Sequence, residues 1–140
     1  MERVRRDYQL RVYGYVVMPE HVHLLVSEPR LATLAVVIKS LKQGVSRRLI
    51  GGAARFWQRR YYDFNIRDYA QFAEKLDYIH NNPVKRALCL RPEDWPWSSA
   101  RHYATGYEGR VEIESEWTAR RRERLDSKFR TAPLKPNGGA

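Results

Sequence analysis

QLRVYGYVVM (Gln9 to Met18) runs through PE (Pro19-Glu20) into HVHLLV (His21 to Val26). Leu10, Val12, Tyr15 and Val17 alternate at an approximate period of two, as a half-buried strand requires. Pro19-Glu20 punctuates the run, and a second β-branched, apolar run follows until Ser27-Glu28-Pro29 ends it. Two such runs joined by a tight connection predict a β-hairpin. Successive strand residues face opposite ways, so His21 and His23 share one face while Val22 points to the other. Two imidazoles on one face can chelate a divalent cation. A pair of ordinary hydrogen-bonded polar residues would have the same spacing, and spacing alone leaves both readings open.

Downstream of the hairpin the apolar period changes. Leu31, Leu34, Ile38, Leu41, Val45 and Leu49 form a stripe at helical spacing, closed by Gly51-Gly52. Lys39, Lys42, Arg47 and Arg48 decorate this predicted helix, giving it one packing face and one positive face. The aromatic run from Phe56 to Phe64 suits a third strand or an extended binding loop. Asp68 with Gln71 three residues on predicts a capping box, and Tyr69, Phe72, Leu76 and Ile79 mark the core stripe of a helix from about Tyr69 to Asn81. Pro83 biases Asn82 away from helical geometry, so that helix is expected to stop there. Arg91 to Ser99 reads as an ordered aromatic loop before a short helix near Ala100 to Tyr103. The organisation expected is one domain over residues 1–109 and a charged C-terminal extension over 110–140. Within the extension, Glu114 to Arg130 is an exposed helix and the last ten residues a disordered tail.

The whole chain, 140 residues, is one domain's worth of protein. With 43% hydrophobic residues it can bury a core, which excludes disorder throughout. No window approaches the roughly 18 apolar residues of a spanning helix, and the first residues carry no apolar leader run, so no membrane association is expected. The single cysteine, Cys89, has no cysteine partner for a disulfide or a thiolate zinc site, which fits an intracellular compartment. Twenty-six Lys and Arg against 16 Asp and Glu leave a net charge of +10. That excess suits a polyanionic partner, because neutralising phosphates releases condensed counterions. A merely solvated basic surface has the same composition.

Tyr78 and Asn82 lie four apart near the end of the second long helix, stacked on one face and displaced from the Leu76 and Ile79 stripe. A tyrosine aimed away from the core can attack a phosphodiester and hold the product covalently, splitting one hard step into two. A cation on the scissile phosphate would stabilise the charge that develops. Packing is the ordinary role for any one of nine tyrosines, and helix capping that for Asn82.

VVMPEHVHLLV (Val16 to Val26), FWQRRYYD (Phe56 to Asp63), DYIHNNPVK (Asp77 to Lys85) and WPWSSA (Trp95 to Ala100), taken together, resemble the REP-associated tyrosine transposases, which are single-tyrosine HUH endonucleases. The resemblance implies that His21 and His23 are metal ligands, that Tyr78 is the nucleophile and that Asn82, one turn later, completes the metal shell. It further implies an α+β, ferredoxin-like antiparallel sheet with helices packed on it. Mg²⁺ or Mn²⁺ is the implied cofactor, and hairpin-containing single-stranded DNA the partner. Cleavage would leave a 5′-phosphotyrosine and a free 3′-OH, in a cytoplasmic, nucleoid-associated protein. Imidazole ligands suit Mn²⁺ better than Mg²⁺. Family members carry a first strand and helix ahead of this hairpin where Met1 to Tyr8 stand here, so the sheet is expected to lack a strand. The rival expectation is a shortened relative that binds nucleic acid without cutting it.

The positive and aromatic residues complete the expected site. Lys39, Lys42, Arg47, Arg48, Arg59 and Arg60 are candidates for phosphate contacts, and Trp57 and Trp97 for stacking on bases, whereas Trp95 is assigned to packing. His80, on another side of the helix from Tyr78, ranks below Asn82 as a ligand or proton shuttle. Monomeric and homodimeric assemblies are both compatible with the sequence.

Overall fold

The computed structural model describes residues 1–49 and 61–131, and for 48, 49 and 131 the backbone alone. A short helix α1 (Glu2–Asp7) leads into strand β1 (Val12–Val17) and strand β2 (Val22–Val26). Helix α2 (Leu34–Leu49) and helix α3 (Tyr69–Lys85) follow, then a 3₁₀ turn over Pro92–Asp94, helix α4 (Ala100–Thr105) and helix α5 (Glu116–Thr131). The architecture is α+β, with an antiparallel sheet that has two strands among the described residues.

The hairpin forms where the sequence places it. Val16 pairs with His23 and Val17 with Val22, and the Met18 N–H donates to the His21 carbonyl at 2.8 Å, closing the turn around Pro19 and Glu20. The buried positions of the first strand are Leu10, Val12, Gly14, Val16 and Met18. This corrects the expected alternation, because Tyr15 and Val17 belong to the opposite phase. Gly14 is part of the inward row and has no side chain to signal it, and the pairing register shifts between Val12 and Gly14. The far edge of β1 is also covered. The Val17 N–H donates to the Trp97 carbonyl, the Ser99 N–H to Tyr15, and the Glu114 N–H to Val12, with a parallel bridge from Val12 to Ile113. No long unpaired edge remains on β1.

Two apolar clusters hold the elements. Val4, Leu10 and Val37 bring α1 and α2 onto the start of the hairpin, with Val26 and Leu41 beside them. Val16, Met18 and Ile79, joined by Leu25, Leu76 and Trp95, hold α3 against the hairpin at the histidine end. On α2 the inward stripe differs from the expected one. Val37 is fully buried, whereas Leu31 precedes the helix and is exposed. The third strand expected over Phe56 to Phe64 is not formed over residues 61–64, and residues 56–60 lie outside the described residues.

Helix α3 begins as the sequence predicts. The Asp68 carboxylate accepts the Gln71 N–H at 2.8 Å, and the Gln71 side chain in return accepts the Arg67 N–H at 2.9 Å. Its end is a correction. The helix does not stop at Asn81 but continues through Pro83 to Lys85. The Leu88 N–H reaches back to the Pro83 carbonyl at 2.9 Å and the Ala87 N–H to Val84 at 3.0 Å, the paired bonds of a Schellman ending. The buried Pro83 ring packs inside, and the closing bonds satisfy the last carbonyls.

After Gly109 the chain docks on the body of the protein. Ile113 is buried against β1, and the Thr118 hydroxyl, also buried, donates to the Ile113 carbonyl at 2.6 Å. The exposed C-terminal helix expected over Glu114 to Arg130 is α5, and the tail expected after it lies outside the described residues.

Candidate active site

The hairpin turn and the last two turns of α3 meet at four side chains. His21 stands just ahead of β2 and His23 within it, and their Nε2 atoms are 3.0 Å apart. The rings cross nearly at right angles, with centroids 4.7 Å apart. Val22 points away and is exposed, so the two imidazoles share one face. From α3, the Asn82 carboxamide nitrogen approaches His23 Nε2 at 3.3 Å, and the Tyr78 ring stands edge-on to His23 at 5.7 Å. Asn82 is buried, whereas Tyr78 is half exposed, so the phenol is open to solvent beside the histidine pair.

Spacing and packing explain the convergence. Residues four apart on a helix stack on one side, which aligns Tyr78 with Asn82. Ile79 lies against Val16, the residue paired with His23, and so draws the Tyr78 turn of α3 to the histidine strand. Ser99 fixes the same approach from below. Its hydroxyl accepts the Tyr15 N–H at 2.9 Å and lies 2.7 Å from His80 Nε2, linking β1 to α3. His80 therefore serves the scaffold and stands apart from the cleft.

The electrostatics favour a neutral imidazole at His23 and at His80. Burial, with the neighbouring His21 adding to it, pushes His23 below the ordinary histidine value. Burial pushes His80 down to about 4 against the opposing influence of Asp77. A neutral imidazole is the form that binds a cation. Three further charged groups ring the site. Glu20 Oε1 lies 3.2 Å from His21 Nδ1, Arg86 forms an ion pair with Glu20, and the Lys85 ammonium sits 5.6 Å over the Tyr78 ring. Sequence reasoning gave these three no role, although Glu20 adjoins His21 in the chain.

The proposed DNA contacts are spread more widely. Lys39 and Arg47 are exposed on α2 and Lys42 is partly buried there. The side chain of Arg48, and Trp57, Arg59 and Arg60 entirely, lie outside the described residues. Trp97 is 58% exposed, and its ring meets Trp95 at 5.2 Å in a T-shaped contact. Trp95 packs on the Val16 cluster and donates its indole N–H to the Val17 carbonyl at 2.9 Å, the packing role expected for it. Among the described residues no three His, Cys, Asp or Glu side chains are arranged to hold a metal ion, and Asn82 is the polar side chain that α3 brings to His23. No helix among them is long and apolar enough to cross a membrane.

These elements define an α+β protein whose hairpin carries two facing histidines and whose packed helix presents a tyrosine and an asparagine to them. Residues 1–82 match the family model described as "Transposase IS200 like", and the chain belongs to that family. It is 33% identical over 105 residues to a Haemophilus influenzae protein named "Putative REP-associated tyrosine transposase", covering 66% of this chain and 60% of that one. It is 29% identical over 98 residues to the REP-associated tyrosine transposase of Escherichia coli, covering 69% of this chain and 58% of the relative. A solved REP-associated tyrosine transposase bound to a REP hairpin superposes with a TM-score of 0.65 at 28% identity, covering 81% of this chain and 72% of the other. The chain thus spans about 60% of the length of the curated relatives it matches.

Proposed function

We propose that this chain is a metal-dependent single-stranded DNA endonuclease and strand transferase acting on hairpin-containing DNA, with Tyr78 as the nucleophile. The observation that carries the reading is the placement of the half-exposed Tyr78 against His23, with His21 and Asn82 at the same point. Family membership and the relatives' names support the transposase class. The hairpin held by the solved relative supports the choice of substrate.

His21, His23 and Asn82 fit a divalent cation. The two Nε2 atoms, 3.0 Å apart on one face, are close enough that both would ligate a single ion. Rotating the Asn82 carboxamide by half a turn presents its oxygen in place of its nitrogen. The donor set, two imidazoles and an amide oxygen, suits Mn²⁺ and admits Mg²⁺. When bound, the cation supplies Lewis-acid stabilisation of the scissile phosphate.

The protein's part is positioning and nucleophilic attack. Tyr78 Oη forms a bond to phosphorus as the bond to the 3′ oxygen breaks. The phenol proton is lost and the leaving oxygen gains one, giving a 5′-phosphotyrosine and a free 3′-OH. Attack by a 3′-OH on that phosphotyrosine reverses the step and joins strands. Lys85, whose ammonium lies 5.6 Å over the Tyr78 ring, would place positive charge beside the phosphate that Tyr78 attacks. Lys39, Lys42, Arg47, Arg48, Arg59 and Arg60 supply phosphate contacts, and Trp57 and Trp97 stacking surfaces.

The test is incubation of the 140-residue chain with hairpin-bearing single-stranded DNA, with and without Mn²⁺, followed by denaturing electrophoresis. A metal-dependent protein–DNA adduct is expected. Hairpin binding with no adduct would replace the nuclease by a nucleic-acid-binding module.

A further inference from the structure

Glu20 and Arg86 are joined across the mouth of the site. The carboxylate oxygen that lies 3.2 Å from His21 Nδ1 is the same oxygen that pairs with the Arg86 guanidinium. Arg86 follows the last residue of α3, and its own N–H donates to the Asn82 carbonyl at 3.1 Å. One continuous chain of polar contacts therefore runs from the end of the helix that carries Tyr78 and Asn82, through Arg86 and Glu20, to His21 on the hairpin.

We infer that Glu20, held by Arg86, is a positioning residue that fixes the tautomer and ring orientation of His21 so that its Nε2 faces His23. The inference deepens the reading of His21 and His23 as a cation-binding pair and rests on it. An ionised carboxylate accepts hydrogen bonds and donates none, so a carboxylate oxygen 3.2 Å from Nδ1 favours the imidazole tautomer with its proton on Nδ1 and its lone pair on Nε2. A carboxylate beside the second ring nitrogen of a metal-binding histidine orients the ring in this sense. Glu20 lies in an exposed turn, where its side chain alone would sample several rotamers. The Arg86 ion pair gives it one fixed partner on a rigid helix end. Both side chains are about half exposed, and pairs of that kind add little to folding stability. Their contribution is to aim His21.

The experiment uses long-range ¹H–¹⁵N correlation of the imidazoles in the full chain without metal, beside calorimetric titration with Mn²⁺. Wild-type His21 is expected as the Nδ1–H tautomer. Glu20→Ala is expected to shift it toward Nε2–H and to weaken Mn²⁺ binding by roughly 10- to 100-fold. Arg86→Ala is expected to shift both in the same direction by less, and Glu20→Gln, which keeps a carbonyl acceptor, to retain most of both. Melting temperatures should move by no more than a few degrees, which separates aiming from folding. An Nε2–H tautomer in the wild type, or a tautomer that Glu20→Ala leaves unchanged, would overturn the inference. A tautomer that responds in a chain whose wild type takes up no Mn²⁺ would uphold the role of Glu20 in orienting His21 and contradict the cation reading of the pair.

Discussion

The Tyr78 phenol meets the His23 imidazole edge-on, ring centroids 5.7 Å apart and planes at 81°. The contact joins a helix to a strand, so it depends on how α3 seats on the hairpin. Ile79, one residue along from Tyr78, packs in the cluster that contains Val16, and Val16 is paired with His23. The geometry of the site is therefore set by the same packing that holds the fold.

Ser99 is expected to be the most sensitive polar position under the site. Its hydroxyl serves the Tyr15 N–H and His80 together, and it is almost fully buried. Ser99→Ala strands both partners and should destabilise the protein by about 1–3 kcal/mol. Urea denaturation at neutral pH measures this, and an unchanged midpoint would show that the bridge is dispensable.

Acid should unfold the protein in part through Glu2. Its carboxylate is held near 2, chiefly by the Arg5 side chain and also by the Glu112 N–H and Arg6, against the opposing effect of burial. The folded value is below the ordinary 4.5, so the stabilisation is complete above about pH 4.5 and is lost as the pH falls from there toward 2. Glu2→Gln removes this contribution, and its denaturation midpoint should fall less steeply with pH between about 4.5 and 2. Parallel pH slopes for the two proteins would contradict the assignment.

Ala87 should be improvable. It holds φ +57° at the left-handed position that ends α3, where a β-carbon costs roughly 1–2 kcal/mol. Ala87→Gly relieves that strain against the greater backbone entropy of an unfolded glycine, and is expected to raise stability by up to about 1 kcal/mol. A lower melting temperature in Ala87→Gly would refute it.

Trp97 offers the plainest test of base stacking. It is exposed and braced by Trp95, whose indole is anchored on Val17. Trp97→Ala is expected to weaken single-stranded DNA binding by about 1–3 kcal/mol with little change in melting temperature. Fluorescence anisotropy with a labelled hairpin oligonucleotide reads the first, and equal affinities would remove Trp97 from the interface.

The parts of this site carried by short spacings were legible in the chain. His21 and His23 two apart at the start of β2, and Tyr78 and Asn82 four apart on a helix, are periodicity arguments, and Asp68 with Gln71 announced the start of α3. What was not legible depended on distant partners. Pro83 signals a helix end by local rules, yet the closing bonds to Ala87 and Leu88 carry the helix past it. The inward place of Gly14 is invisible to hydrophobic patterning. Ile113 stands with Val111 in a charged stretch, and only its docking on Val12 reveals it as core. Ser99 and Glu20 gain their meaning from His80 and Arg86, which no local pattern links to them.

The central claim, that Tyr78 is the nucleophile, is tested most directly by locating the covalent bond. The chain would be incubated with hairpin DNA and Mn²⁺, digested with nuclease and protease, and the nucleotide-bearing peptide sequenced by mass spectrometry. The account predicts a nucleotide 5′-phosphate on Tyr78, absent in Tyr78→Phe, which should still bind the hairpin with nearly unchanged affinity. A nucleotide on Tyr61 or Tyr62, or an adduct that persists in Tyr78→Phe, would contradict it.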